Sequence, residues 1–204
     1  MKSFFDDLNK RYMAIEFDPN LTKEEKTPHM VTWWSTAHEK MIEAKLTRDQ
    51  VEAAVKSSEI ILRENEAVFF DKLKNLPILL FSAGIADIVQ AAMVYKSEAG
   101  FTDNMKGKFS LQSLKIWQIL AKNSKKVISN KMVFNECDTL TKFSEPIIHT
   151  FSKNSRSIGD DFQTGLKSRP NVLLMGDSHG DPNMVTDEDL TAGVCLRLVK
   201  VRSN

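Results

Sequence analysis

Three short runs, each with consecutive apolar residues at its centre, restrict the possible folds of this chain more than any other feature of its sequence. They are PILLFSAG at 77–84, KVISN at 126–130 and NVLLMGD at 171–177. Runs of this length predict buried strands, and the helical pattern of IADIVQAAMVY follows the first of them. Because strands that alternate with helices favour a parallel sheet covered on both faces, we expect an α/β fold.

The first third of the chain is predicted to be helical. Thr22 with Glu25, and Thr47 with Gln50, have the spacing of capping boxes, in which the two side chains satisfy backbone N–H groups at a helix start. Pro28 suits the first turn of a helix, where its missing N–H group needs no partner. These signals predict helices that begin next to the two threonines.

The chain divides into two predicted regions. Residues 1–58 form a helical piece, and residues 59–204 form the α/β core, which begins with an amphipathic helical stretch at 59–75. The stretch at about 97–125 is unusually polar for a core segment, and we interpret it as an insertion or a loop.

Composition excludes several classes of protein. Hydrophobic residues make up 42% of the 204 residues and charged residues 27%, which is typical of a globular chain. The net charge of +1 provides no basic field for nucleic acid, so affinity for an anion must come from a local site. Pro77, Gly84 and Asp87 interrupt the most apolar window, 76–94, so a strand, a turn and a helix explain it better than a membrane span. We expect a soluble, cytosolic protein without nucleic-acid or membrane partners.

Polar side chains that could carry chemistry follow the predicted strands. Ser82 follows the first apolar run, Asp177 and Asp181 follow the last one, and Lys153 follows two isoleucines. In an open parallel sheet, ligands bind beyond the carboxyl ends of the strands. We therefore expect these four side chains to lie near one binding site.

Together these side chains suit a phosphate group. A helix start after Ser82 offers backbone N–H groups to an anion, and Lys153 supplies a positive charge. Asp177 is a suitable oxygen ligand for Mg²⁺, while Asp181 could hold a metal-bound water or orient Lys153. Each residue alone also fits a helix cap, a solvated lysine or a simple turn, but GDSHGD after an apolar run is more specific than a turn.

Three segments of the chain resemble motifs of a known superfamily. FSAGI (81–85), HTFSKNS (149–155) and LLMGDSHGD (173–181) resemble the second, third and fourth motifs of the haloacid-dehalogenase-like (HAD) phosphatases. In addition, RYMAIEFDPNLTKEEKTPHMVTWWSTAHEKM (11–41) is similar to the helical cap of the cytosolic 5′-nucleotidase III family. The resemblance implies a Rossmann-like HAD core with a parallel sheet and an all-helical cap.

The same resemblance implies a function. Members of this family are Mg²⁺-dependent hydrolases of nucleoside 5′-monophosphates, in which an aspartate attacks phosphorus. By resemblance, Ser82 and Ala83 would hold the phosphate, and Lys153 would neutralise the transferring group. Asp177 would bind Mg²⁺, and Asp181 would be the supporting carboxylate, which makes Lys153 and Asp181 the catalytic candidates in this chain.

The cap segment carries candidates for base recognition. Glu16 matches the glutamate with which the family recognises the base, since a carboxylate accepts from an exocyclic amine or a ring N–H. The sequence WWSTAHE, with Ala37 before His38, resembles the branch that prefers 7-methylguanosine phosphate over pyrimidine nucleotides. Trp34 is the candidate platform for a cationic ring, although adjacent tryptophans on a helix also serve core packing. The expected substrates are 7-methyl-GMP and/or CMP and UMP, bound by a monomer.

The chain departs from the family pattern in three places. The first motif, an Asp-x-Asp after a buried strand ahead of the cap, is not found, and Asp6-Asp7 follows no strand. The family pattern ends early after Met184, and the stretch at 97–125 has no counterpart. A chain incomplete at both ends would explain all three departures. The alternative function is therefore a truncated, catalytically inactive fragment that binds nucleotide.

Overall fold

The computed structural model describes most of the chain in six ranges. They are residues 1–73, 78–96, 125–153, 171–176, 181–184 and 194–195. The chain forms two compact units, one of Met1–Ala37 with Pro146–Asn204 and one of His38–Glu145. The functional division into a cap at 1–58 and a core at 59–204 stays a prediction.

The described ranges contain five helices, six strands and one 3₁₀ turn. The helices are α1 (Lys2–Glu16), α2 (Lys23–Glu43), α3 (Arg48–Ser57), α4 (Glu66–Lys72) and α5 (Ala86–Lys96). The strands are β1 (Ile78–Ile85), β2 (Lys125–Asn130), β3 (Met132–Phe134), β4 (Leu140–Phe143), β5 (Leu173–Leu174) and β6 (Val194–Cys195). The 3₁₀ turn spans Asp181–Met184. No helix in these ranges is long and apolar enough to cross a lipid bilayer.

Strand pairing confirms the predicted α/β class. β1 pairs with β2 in parallel, and α5 follows β1 directly, as the apolar pattern of 77–94 predicts. β5 pairs with β6 in parallel over only two residues on each strand. The third apolar run therefore forms a much shorter strand than its sequence suggests, because strand structure requires a partner for its hydrogen bonds.

Both capping boxes form as predicted. Glu25 Oε2 accepts from the backbone N–H and hydroxyl of Thr22, and the Glu25 N–H donates to Thr22 Oγ1. Thr47 and Gln50 make the reciprocal pair at the start of α3. The prediction for Pro28 is wrong, because the Thr22 box starts α2 at Lys23 and leaves Pro28 inside the helix. There it removes a backbone hydrogen bond that the helix interior would otherwise contain.

The predicted helix at 59–75 is shorter than expected. Within 59–73, the part of this stretch that the structure describes, the helix spans Glu66–Lys72, and Asn65 before it has a left-handed backbone, with φ of 63°. Ile61 is 89% exposed, so the apolar positions ahead of α4 do not form a buried helical face. The apolar pattern suggested a helix there, but without burial that pattern gives a helix little stability.

Within the second unit, α3 packs on α5. Val55, Ala91 and Ala92 form the buried centre of this contact, with Ile88 and Tyr95 packed against it. The antiparallel pair β3–β4 was not predicted from the sequence. Its turn depends on Asn135 Oδ1, which accepts from the N–H groups of Cys137 and Thr139.

Candidate active site

A buried ion pair joins two of the predicted catalytic residues. Lys153 Nζ donates to Asp181 Oδ1 at 2.7 Å, and the two residues are only 8% and 5% exposed. Two charges this far from water are stable only when paired and hydrogen-bonded. Of the two contacts that the sequence left open for Asp181, the one with Lys153 is therefore present. The ammonium keeps further N–H groups that can donate to a ligand.

Glycine at position 176 allows Asp181 to approach the backbone. A Cβ atom built on Gly176 would lie 2.3 Å from Asp181 Oδ2 and 2.5 Å from its Cβ. No side chain larger than hydrogen fits there unless Asp181 moves. The glycine that precedes the predicted metal ligand thus positions the carboxylate that holds Lys153.

Lys153 is held by a hydrogen-bonded turn and does not follow a strand. The Ser152 N–H donates to the His149 carbonyl at 3.0 Å, and the His149 N–H donates to Ser152 Oγ at 2.8 Å. Residues 147 and 148, the predicted end of a strand, are irregular in the structure. The prediction of a strand end before Lys153 is wrong, since no ladder hydrogen bonds form at these residues. We name the segment His149–Lys153 the lysine turn.

Burial and a nearby positive charge act on the histidine of this turn. Burial lowers the pKa of His149, and the charge of Lys23 lowers it further. The imidazole is therefore neutral at physiological pH, and the Phe151 N–H donates to its Nδ1 atom. A neutral ring in this place leaves the positive charge of the turn on Lys153.

The same turn contacts the predicted base-recognition residue. Thr150 Oγ1 donates to Glu16 Oε1 at 2.5 Å, across 134 positions of sequence. Glu16 is the last residue of α1, and its side chain is half-buried. Because a carboxylate has about four acceptor positions, this bond leaves Oε2 able to accept from a ligand.

Aromatic stacking distinguishes the two adjacent tryptophans. The Trp33 ring stacks on the buried Tyr12 ring, with centroids 5.8 Å apart and planes at 11°. Trp34 stacks on Trp33 at 6.3 Å and is half-buried. Trp33 therefore packs α1 against α2, and the role of Trp34 as a base platform stays a prediction.

The predicted phosphate-binding residues Ser82 and Ala83 lie inside β1 in the other compact unit, so the prediction that Ser82 follows the strand is wrong. We call residues 82–84, where the pairing of β1 is irregular, the Ser82 loop. The register of β1 with β2 is interrupted after Phe81, and the Gly84 N–H donates to Ser82 Oγ at 3.0 Å. As an acceptor in this bond, the Ser82 hydroxyl keeps its own proton for another partner. This bond joins residues only two positions apart, so it is a local interaction within β1.

Two buried side chains of β2 fix the carbonyl groups of this loop. Asn130 is fully buried, and its Nδ2 donates to the carbonyls of Ala83 at 2.8 Å and Gly84 at 3.1 Å. Ser129 Oγ donates to the Gly84 carbonyl at 2.7 Å. These bonds set the orientation of the peptide groups, and therefore also where the following N–H groups point. Asn130 was not predicted as a site residue, although a polar residue at the end of a buried strand is a signal for one.

The predicted metal ligand lies outside the described residues. Asp177 is in the gap between 176 and 181, so its geometry is not described. Within the described ranges, no group of three or more His, Cys, Asp or Glu side chains is arranged to hold a metal ion. Glu16, Trp34, Lys153 and Asp181 belong to one compact unit, and Ser82 and Ala83 to the other.

Comparison with known proteins supports the resemblance seen in the motifs. The family model described as pyrimidine 5′-nucleotidase (UMPH-1) matches residues 1–107 and 99–192. The chain belongs to the pyrimidine 5′-nucleotidase family. This match includes the capping boxes, the Ser82 loop, the lysine turn and Asp181.

Individual relatives agree with this family. A Caenorhabditis elegans protein named as a cytosolic 5′-nucleotidase 3 is 37% identical over 184 residues, which are 88% of this chain and 43% of that protein. The human 7-methylguanosine phosphate-specific 5′-nucleotidase is 36% identical over 177 residues, 85% of this chain and 51% of that protein. The chain spans about half the length of the curated relatives it matches.

A solved structure confirms the fold. The crystal structure of cytosolic 5′-nucleotidase IIIB bound to cytidine matches 97% of this chain and 60% of its own chain. The TM-score is 0.74 and the sequence identity is 25%. The predicted HAD-like fold class is therefore confirmed for this member of the family.

Proposed function

We propose that the protein is a Mg²⁺-dependent 5′-nucleotidase that hydrolyses nucleoside 5′-monophosphates to nucleoside and phosphate. The observation that carries this proposal is the buried ion pair of Lys153 and Asp181 at 2.7 Å. An ammonium fixed in a poorly solvated place interacts strongly with a phosphoryl group, because little water screens the charge. A lysine exposed to water would not require a buried carboxylate as its partner.

Mg²⁺ is the proposed cofactor, and Asp177 its proposed ligand. Asp177 directly follows Gly176, whose lack of a side chain lets Asp181 pack against the backbone. Mg²⁺ prefers one or two carboxylates together with water and substrate phosphate. Bound there, Mg²⁺ would neutralise charge on the transferring phosphoryl group, while Lys153 and Asp181 act as the catalytic pair of this chain. Ser82 and Ala83 are the proposed phosphate-binding residues.

The proposed base contacts are Glu16 and Trp34. A carboxylate at Glu16 Oε2 can accept from the amino group of cytosine or from the ring N–H and amine of 7-methylguanine. A cationic 7-methylguanine ring over Trp34 would gain about 0.5–2 kcal/mol from the cation–π interaction. The names of the relatives include 7-methylguanosine phosphate, and the solved structure holds cytidine. We therefore propose 7-methyl-GMP together with CMP or UMP as the substrates.

The remaining features of the proposal follow the family. One relative is named cytosolic, and we propose a cytoplasmic protein. We further propose that the protein acts as a monomer. We also propose that it binds neither nucleic acid nor a membrane, since a net charge of +1 provides no basic field that would attract either of them.

Phosphate release by the purified protein tests the proposal. We expect release from CMP or 7-methyl-GMP with Mg²⁺ and none after EDTA treatment. The Lys153→Met variant should lose this activity, whereas Lys142→Met, which removes an exposed lysine, should keep it. Absence of release from every nucleotide would overturn the proposed turnover.

Nucleotide binding without turnover is the second candidate function. The observation that favours it is that Glu16 and Lys153 offer contacts to a nucleotide, whereas Asp181, the buried carboxylate beside Lys153, is engaged in the ion pair. Such a protein would give a calorimetric signal with CMP or 7-methyl-GMP but release no phosphate. Its binding should weaken in Lys153→Met, and its Mg²⁺ dependence should disappear in Asp177→Asn.

A further inference from the structure

One short segment of the first unit contacts both ends of the proposed substrate site. Within the lysine turn, Thr150 donates to Glu16 Oε1 and Lys153 donates to Asp181 Oδ1. Only two residues separate Thr150 from Lys153. The hydrogen bonds of His149 with Ser152 make this turn a closed, ordered unit. Its two ends therefore cannot move independently over large distances.

We propose that Thr150 is a positioning residue for base selection, acting through Glu16. This inference rests on the proposed function, in which Glu16 reads the base and Lys153 meets the phosphate. The Thr150 hydroxyl holds Oε1, which restricts rotation of the carboxylate and limits the directions in which Oε2 can accept. A nucleobase N–H donor then finds its acceptor already oriented.

The hydrogen bond from Thr150 to Glu16 can orient the carboxylate before a ligand binds. Glu16 ends α1 and is half-buried, and its carboxylate accepts a hydrogen bond from Thr150. A glutamate side chain gives up rotamer freedom when it is fixed. The Thr150 bond fixes Glu16 before substrate arrives, which reduces the entropy that base binding must overcome. The bond also sets Glu16 relative to Lys153, and hence base relative to phosphate.

A pair of nearly isosteric variants isolates the hydroxyl group. Thr150→Val keeps the shape of the side chain and removes the donor, while Thr150→Ser keeps the donor and removes a methyl group. Binding to the full 204-residue protein is measured by calorimetry with Mg²⁺ present, for CMP, for 7-methyl-GMP and for ribose 5-phosphate. Ribose 5-phosphate has the sugar and phosphate but no base.

The expected result is a loss that depends on the base. Thr150→Val should weaken binding of CMP or 7-methyl-GMP about 10-fold, as the loss of one oriented hydrogen bond does. Its affinity for ribose 5-phosphate should stay that of the unmodified protein, and Thr150→Ser should bind all three ligands like the unmodified protein. A structural defect of the lysine turn would displace Lys153 as well and would therefore weaken the binding of all three ligands.

Other outcomes separate this inference from the proposed function. If the unmodified protein binds nucleotides and Thr150→Val binds them equally well, the inference about Thr150 is overturned and the nucleotidase proposal stands. Equal weakening of ribose 5-phosphate and CMP also overturns the inference, since it assigns Thr150 to the scaffold. If the unmodified protein binds none of the three ligands, the proposed function fails and the inference fails with it.

Discussion

Lys153 and Asp181 lie 28 positions apart in sequence and form an ion pair with a 2.7 Å contact in the interior of the protein. Gly176 allows the carboxylate to occupy this place, and the lysine turn presents the ammonium. In the protein without a ligand, each buried charge of this pair is stabilised by the other. Stability measurements therefore test its arrangement independently of catalysis.

Removing one charge of the pair should destabilise the protein strongly. In Lys153→Met, Asp181 loses its ammonium counter-charge while it stays buried, and we expect the free energy of unfolding to fall by about 3–5 kcal/mol. The double variant Lys153→Met, Asp181→Asn removes both charges and should recover part of this loss. Urea denaturation at neutral pH measures both effects. A single variant as stable as the unmodified protein would show that the pair is solvated.

Adding a methyl group at Gly176 should disturb the pair sterically. The new Cβ in Gly176→Ala would lie within 2.3–2.6 Å of three Asp181 side-chain atoms, so we expect a cost of about 1–3 kcal/mol. Gly84→Ala is the matched control, because its Cβ would meet only Ser82 Oγ, at 3.2 Å. Thermal unfolding of the two variants should rank Gly176→Ala as the less stable. The opposite order would contradict the close packing of Asp181.

Asn130 should affect the Ser82 loop, where we propose that phosphate binds, through its amide group. Asn130→Asp keeps the size of the side chain but directs a carboxylate at the carbonyl oxygens of Ala83 and Gly84, which repels them. We expect the affinity for inorganic phosphate to fall about 10-fold or more, as loss of a buried hydrogen bond implies. Affinity for cytidine, which has no phosphate, should stay the same. Equal losses for both ligands would assign Asn130 to general stability only.

Buried His38 should make the protein sensitive to acid. Its ring stacks on Phe143 with centroids 3.8 Å apart, and burial lowers its pKa to about 4. Since the unfolded chain binds this proton with a pKa near 6.5, stability is fully present above about pH 6.5 and falls as the pH drops towards 4. The loss is on the order of 3 kcal/mol.

The variant His38→Leu tests this pH dependence. It removes the titrating ring but keeps an apolar side chain of similar size. Urea denaturation at pH 7 and at pH 4.5 should show a smaller drop in unfolding free energy for His38→Leu than for the unmodified protein. Equal drops would mean that other groups, such as His149, cause the acid sensitivity.

Local features of the fold could be predicted from the sequence because neighbouring residues create them. The capping boxes place their partners three positions apart, and the strand at 78–85 runs directly into the helix at 86–96. The strand predicted before Lys153 does not form, and the helix predicted at 59–75 begins only at Glu66, because the apolar residues at 60–61 and 147–148 are not in regular structure. An apolar pattern indicates a preference for a helix or a strand. The element forms only where the rest of the chain supplies its packing and hydrogen-bond partners.

By itself, the sequence determined the family, the residue types available for phosphate chemistry, and the helices and strands whose signals are local. Only the tertiary structure decided that Asp181 pairs with Lys153, that Thr150 holds Glu16 and that Asn130 orients the Ser82 loop. These contacts join residues 28, 134 and 47 positions apart. No spacing rule links such residues, because their proximity arises only when the chain packs its apolar surfaces and satisfies its buried polar groups together.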